Sequence, residues 1–262
     1  MTDLLSIDVA FLPHDLRFDR LVHQTVVVFD VLRATTTMTA ALAAGVREIR
    51  IFGDLDAASS AARASEIAAK LLCGEHRCLR PPGFDLGNSP GAFDPARHRG
   101  ATVFMSTTNG TRAIVAAAGV RRILAGALVN ARAVARQLLE HGGDVVLLCA
   151  GTDGAVAMED VLGAGAVVRE IIGDRPPAGP IATRSAGTVQ LTDAARVALY
   201  LFESRRDDLP GALRICQGGQ NVIAAGLGED VDFAARLNTI DIVGAVPLAD
   251  NNQLLLVQSA SN

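Results

Sequence analysis

The feature that most constrains this chain is an uninterrupted apolar run, Val26-Val27-Val28-Phe29, ending in Asp30-Val31-Leu32-Arg33-Ala34-Thr35-Thr36-Thr37. No polar residue alternates within the run, so it reads as a strand buried on both faces. The alanine-rich stretch that follows predicts a helix over 37–44, stopped by Gly45. The same unit recurs. Ala101 to Met105 leads through Ser106-Thr107-Thr108-Asn109-Gly110-Thr111-Arg112 into a helix over 111–118. Asp144 to Ala150 leads through Gly151-Thr152-Asp153-Gly154 into a helix from Met158 to Ile172. Strand, polar turn and helix repeated in this way predict an α/β fold with a mostly parallel sheet covered on both faces.

The remaining elements fit between these units. Ile7 to Phe11 predicts a first strand, and Asp15 to His23 a loop or short helix. Short strands are expected over 48–52, 71–73 and 122–125. Asp54 is placed to cap a helix over 55–69, and Asn130 one that reaches Glu140. Arg80 to His98 is dense in breakers and predicts a long loop, a kind that is usually functional or mobile. Asp174-Arg175-Pro176-Pro177-Ala178-Gly179-Pro180 is the best boundary, so residues 1–262 are expected as one unit or as two similar lobes joined near 173–185. Beyond it, helices are expected over 191–203, 220–225 and 230–236, and closing strands over 242–246 and 254–257 around an Asp250-Asn251-Asn252 turn. With few polar clusters at strand ends, the carboxyl-terminal third reads as structural.

Composition narrows the function. Much of the apolar half is alanine and there is no tryptophan, which predicts close helix packing through small side chains. A formal charge of −4, with no basic run, gives no electrostatic case for nucleic acid. No apolar run reaches the roughly 20 residues that span a bilayer, and Met1 to Ala10 lacks the features of a signal peptide. Cys73, Cys78, Cys149 and Cys216 show no Cys-x-x-Cys spacing, so reduced thiols in the cytoplasm are expected.

Three polar turns carry the candidate chemistry. They hold Asp30, Arg33 and Thr35; Ser106, Thr107, Thr108, Asn109 and Arg112; and Thr152, Asp153, Glu159 and Asp160. If the strands are parallel, the turns share one edge of the sheet, where ligands of open α/β folds bind. Hydroxyls and helix-start amides suit phosphate oxygens, and arginine grips them in a bidentate fork. Carboxylates there would repel phosphate without a hard cation between them, and Mg²⁺ takes one or two carboxylates and keeps several waters. The expected ligand is a small anionic phosphate ester, with magnesium near Asp30, Glu159 and Asp160.

Each piece also has a plain structural reading. Asp30 and Thr35 to Thr37 are placed as helix caps, Thr107-Thr108-Asn109-Gly110 as an ordinary turn, and Glu159 and Asp160 as complements to a helix dipole. Glu75-His76 reads as a surface pair, and Asp85 to Ser89 as loop. The P-loop, Gly-x-Gly-x-x-Gly and Gly-x-Ser-x-Gly motifs are absent. Leu32 stands where haloacid-dehalogenase phosphatases carry their second aspartate, so water rather than Asp30 is the expected nucleophile.

Taken in order, Val28 to Thr35, Gly74-Glu75, Gly83-Phe84-Asp85-Leu86-Gly87-Asn88-Ser89-Pro90, Thr107 to Ala113, Ala150-Gly151-Thr152 and Glu159-Asp160 resemble the 2-phosphosulfolactate phosphatase family. The resemblance implies a three-layer αβα fold. It also implies a magnesium-dependent phosphomonoesterase that converts 2-phosphosulfolactate to sulfolactate and phosphate, a step toward coenzyme M. With this in view, Asp30, Arg33 and Glu75 are expected to be catalytic, and Asp30 with Glu159 or Asp160 metal-binding. Thr35, Asn88, Ser89, Thr107, Thr108, Asn109, Arg112 and Thr152 become substrate-binding. A homodimer is compatible with it. His76, Gln220 and Asn238 stand where the family pattern carries charge, and Gln217 lies in the same altered segment as Gln220, which keeps a phosphatase of another small ester, or a non-catalytic anion binder, as alternatives.

Overall fold

A computed structural model describes residues 4–16, 23–173, 181–183, 187–246 and 254–259. The expected lobe boundary at 174–180 and the turn at 250–252 lie outside these residues.

The chain builds a large central sheet with helices on both faces. One parallel block holds β1 (Leu4–Ala10), β2 (Thr25–Phe29), β6 (Arg122–Gly126), β7 (Gly143–Cys149) and β9 (Gly187–Leu191), in the order β6-β2-β7-β1-β9. A second holds β3 (Glu48–Ile51), β4 (Lys70–Gly74) and β5 (Thr102–Ser106), in the order β4-β5-β3. Between them lie β10 (Gly244–Val246) and β11 (Leu255–Gln258), and β8 (Ile181–Thr183) edges the sheet beside β9. The three pairings β3/β11, β11/β10 and β10/β6 are all antiparallel, so the two blocks run in opposite directions.

β2 is buried on both faces as its sequence predicts. Val27 and Phe29 pack into the core under α5 (Ala131–His141), α6 (Met158–Ile172) and α7 (Asp193–Arg205). Val26 and Val28 pack into the core under α1 (Ala34–Ala43) and α4 (Gly110–Ala116). A smaller core joins α2 (Leu55–Ala64) to β4 and β5 through Ala58, Ala62, Leu72 and Phe104. Small residues set the helix spacing. A Cβ on Gly165 would fall 2.1 Å from the Ala198 carbonyl oxygen of α7, and one on Gly163 would fall 2.8 Å from Phe29.

Several boundaries differ from expectation for local reasons. α1 begins at Ala34, because the Thr35 and Thr36 hydroxyls donate to the Asp30 and Val31 carbonyls and satisfy the strand end at once. α2 stops at Ala64, where Ser65 turns extended. Leu191 ends β9 instead of opening α7, and Thr192 accepts the capping hydrogen bond from the Ala195 amide. β8, β9 and α8 (Leu209–Ile215) were not anticipated. α9 (Gln217–Ala224) and α10 (Gly228–Ala234) start a few residues early. No helix among the described residues is long and apolar enough to cross a membrane.

Candidate functional site

The three polar turns converge on one cavity of about 660 Å³, bordered by Asp30, Arg33, Glu75, Asn88, Thr108 and Thr152. They do not reach it along one sheet edge. The Asp30 and Thr152 turns follow β2 and β7, which are parallel neighbours. The Thr107 turn follows β5 in the opposed block, and the two blocks meet where α4 packs against β2. A Cβ on Gly110 would lie 2.5 Å from the Ala34 Cβ and 2.6 Å from Asp30 Oδ2.

Both meeting turns use the same threonine clasp. Thr35 Oγ1 accepts from the Asp30 amide at 3.0 Å and donates to the Asp30 carbonyl at 2.9 Å. Thr111 Oγ1 accepts from the Thr107 amide at 2.9 Å and donates to the Thr107 carbonyl at 2.9 Å. Thr35 is thereby fully buried behind the site, with its hydroxyl committed to backbone. Thr107 is also buried, and its hydroxyl accepts from the Thr111 amide. Thr108 and Asn109 border the cavity directly.

Asp30 is 6% exposed. Its Oδ1 accepts from the Ala34 amide at 3.0 Å, so it caps α1 as well as facing the cavity. Burial pushes its carboxyl up to about 6; the Ala34 amide opposes this, the Glu75 and Glu159 charges add to it, and the Gly110 amide opposes it. Burial raises Glu159, and raises Asp160 well above the usual carboxylate range with help from Asp30 and then Glu159.

These acids are held differently. Asp160 Oδ1 accepts from the Val31 amide at 2.8 Å and Oδ2 from the Gly151 amide at 3.0 Å, so it ties the β2 and β7 turns together. Glu75 Oε1 accepts from the Thr108 amide at 2.7 Å and Oε2 from the Cys78 amide at 2.9 Å, which joins β4 to the Thr107 turn. Glu159 Oε2 is buried with no hydrogen-bond partner among the described residues, and its Oε1 lies against Gly218 at the start of α9.

Among the described residues, no three His, Cys, Asp or Glu side chains form a ready cage for a metal ion. Mg²⁺ does not require one, since it binds through one or two carboxylates and keeps its waters. Asp30 and Glu159 suit it best, because their charges crowd one another and one Glu159 oxygen has no donor among the described residues. Asp160 has both oxygens engaged by backbone amides.

The predicted cations divide. Arg33 borders the cavity but is committed: Nη1 lies 2.5 Å from Asp230 Oδ2 and 3.2 Å from Ser89 Oγ, and Nη2 lies 2.6 Å from the Cys78 carbonyl. Ser89 also donates to Asp230 Oδ2, at 2.7 Å. Arg112 is exposed, lies outside the cavity wall and donates to the Gly53 carbonyl at 3.4 Å. Asn88 is 4% exposed on the wall, and its buried Oδ1 has no partner among the described residues.

The carboxyl-terminal third is not merely structural. α9 supplies Gly218, Asn221 and Val222 to the wall, and Asp230 of α10 holds Arg33. Of the four atypical positions, only His76 borders the cavity. Asn238 is remote; its Oδ1 accepts from the Arg132 amide at 2.7 Å at the start of α5, from a left-handed backbone (φ 57°) that asparagine tolerates. Gln217 bonds Asn221 within α9, and Gln220 bonds the Ile215 carbonyl. Arg77 and Asp230 were both missed. The strand-end reasoning that found Glu75 also applies to Arg77, whereas nothing local marks Asp230.

Fold and site define a class: an α/β protein with an acidic, donor-lined cavity of small-molecule size, set where two blocks of parallel strands end. Residues 10–248 match the family model described as 2-phosphosulpholactate phosphatase, and the chain belongs to that family. A protein of Carboxydothermus hydrogenoformans named "Probable 2-phosphosulfolactate phosphatase" is 37% identical over 240 residues, covering 91% of this chain and 92% of its own. A protein of the same name from Symbiobacterium thermophilum is 36% identical over 241 residues, covering 92% and 97% respectively. Another from Synechococcus sp. (strain JA-3-3Ab) is 38% identical over 221 residues, covering 83% and 86%.

Proposed function

We propose that this protein is a magnesium-dependent phosphatase that hydrolyses 2-phosphosulfolactate to sulfolactate and phosphate, the reaction its relatives' names carry. The observation that carries the reading is the excess of buried negative charge around Asp30, facing a cavity also lined by Asn88, Thr108 and Thr152. Asp30 and Glu159 would hold Mg²⁺, which when bound supplies positive charge against the phosphoryl oxygens. Thr108, Asn109, Asn88 and Thr152 offer the neutral hydrogen-bonding groups that position the ester. Hydrolysis forms a bond from a water oxygen to phosphorus and breaks the bond to the ester oxygen. The water's proton passes to the acid cluster, and the departing alkoxide takes one up. Burial lifts the Asp30 carboxyl to about 6, within reach of neutrality when it is not holding the metal. Four unpaired cysteines suit a reducing cytoplasm.

The test is phosphate release from 2-phosphosulfolactate by the purified protein. Turnover is expected with Mg²⁺, lost with EDTA, and reduced at least ~100-fold in Asp30→Asn, the scale of one positioned acid–base group. No release from this ester, together with an Asp30→Asn protein that behaves like wild type on every phosphate ester, overturns the reading.

A further inference from the structure

The segment after β4 closes a tight turn on the cavity wall. The His76 amide donates to the Leu79 carbonyl at 3.0 Å and the Leu79 amide returns to the His76 carbonyl at 3.1 Å. Between them, Arg77 has φ 51° and Cys78 φ 66°. Positive φ at both central residues is the mark of the primed hairpin turn, which favours asparagine and glycine. Here it is made by an arginine and a cysteine, neither suited to that backbone. Such outliers persist only where their surroundings over-determine them. This one is held by the site itself: the Cys78 amide donates to Glu75 Oε2 at 2.9 Å, and the Cys78 carbonyl accepts from Arg33 Nη2 at 2.6 Å.

The held turn presents Arg77 at the cavity. Arg77 is exposed and has no hydrogen bond or ion pair among the described residues. The cavity's other arginine, Arg33, is buried and taken by Asp230, Ser89 and Cys78. Arg112 is outside the wall. Among the described residues, a ligand carrying an anion beyond its phosphoryl group therefore meets one uncommitted guanidinium, in a cavity otherwise rich in carboxylates.

We infer that Arg77 is the specificity-determining residue of this site, gripping the substrate's anionic group other than the phosphoryl group, and that the Arg77-Cys78 turn is held so as to place it there. The inference rests on the proposed phosphatase reading only for which ester is turned over; the binding it asserts is independent of turnover. A guanidinium–anion pair is a charge-assisted contact, and its loss should weaken binding about ten- to a hundredfold.

Arg77→Gly separates this role from a merely structural one, because glycine relieves the left-handed backbone while removing the cation. Arg77→Lys keeps the charge without the planar fork. Calorimetry of the full-length protein with sulfolactate, and separately with inorganic phosphate, reads the effect, alongside the melting temperature. Arg77→Gly is expected to melt at or above the wild-type temperature, to bind sulfolactate at least tenfold more weakly, and to bind phosphate unchanged. Arg77→Lys should recover part of the loss. Where wild type turns over 2-phosphosulfolactate, Arg77→Gly should raise KM with kcat little changed. If Arg77→Gly binds sulfolactate as wild type does, or wild type does not bind it, the inference fails. If wild type binds sulfolactate through Arg77 but releases no phosphate, the inference stands and the phosphatase reading fails.

Discussion

Arg33 and Asp230, 197 residues apart in the chain, form a buried ion pair with Nη1 2.5 Å from Oδ2. Ser89 shares the same carboxylate oxygen, so one contact ties the β2 turn, the long loop and α10. Removing one partner of a buried pair strands the other charge, at a cost of about 3–5 kcal/mol. Asp230→Ala should lose that much in urea unfolding. Arg33→Met/Asp230→Leu should regain most of it while remaining inactive, because Arg33 borders the cavity. An Asp230→Ala protein within about 1 kcal/mol of wild type, no more than an exposed pair contributes, would count against the pair.

Asp160 offers a second, sharper substitution. Each of its oxygens accepts one backbone amide, from Val31 and Gly151, and both bonds are buried. Asparagine can accept one of them but must turn a donor toward the other. A buried amide left unsatisfied costs about 1–3 kcal/mol. For a chain of this size Asp160→Asn should therefore lower the melting temperature by roughly 3–10 °C. Turnover should fall too, since both amides fix turns that border the cavity.

Gly110 is required by space rather than by backbone freedom. An added Cβ meets Ala34 at 2.5 Å and Asp30 Oδ2 at 2.6 Å. Gly110→Ala must part α4 from α1 or displace the Asp30 carboxylate, and overpacking of this kind costs about 1–3 kcal/mol. Its kcat should drop at least ~10-fold, because small misplacements at a reacting centre are expensive. Gly91→Ala, where a Cβ meets nothing within 4 Å, is the matched control and should behave as wild type.

The contrast between Asp30 and Asp230 shows what could be read from the chain. Val26 to Phe29 fixed a strand buried on both faces, because local pattern alone decides that, and Asp30 followed as its carboxyl end. Met158 to Ile172 was legible end to end for the same reason. The opposed direction of the two parallel blocks was not, because it depends on β10 and β11 inserting between β3 and β6 from over a hundred residues away. Asp230 looked like any acid in a first helical turn; its partner is set only by tertiary packing. Thr35 and Arg33 were visible as polar residues near a strand end, but not that their hydrogen-bonding groups are spent on backbone, Ser89 and Asp230.

The acid cluster makes a prediction about pH and magnesium together. Asp30 sits at about 6 in the folded chain against an ordinary 3.8, so the folded state binds its proton more tightly than the unfolded state. In metal-free protein that contribution to stability is fully present below pH ~4, is lost as pH rises through ~6, and stays lost above it. For Asp30 alone the swing is about 3 kcal/mol, opposite in sign to ordinary acid denaturation. Mg²⁺ competes with the proton for the same oxygens. Millimolar Mg²⁺ should therefore raise the melting temperature at pH 7.5, by the free energy of binding the native state alone, and have little effect at pH 5. Asp30→Asn should flatten both the pH dependence and the Mg²⁺ response while remaining folded. Thermal scans at the two pH values, with EDTA and with Mg²⁺, decide it: an equal response at both, or none at either, removes Asp30 as a ligand.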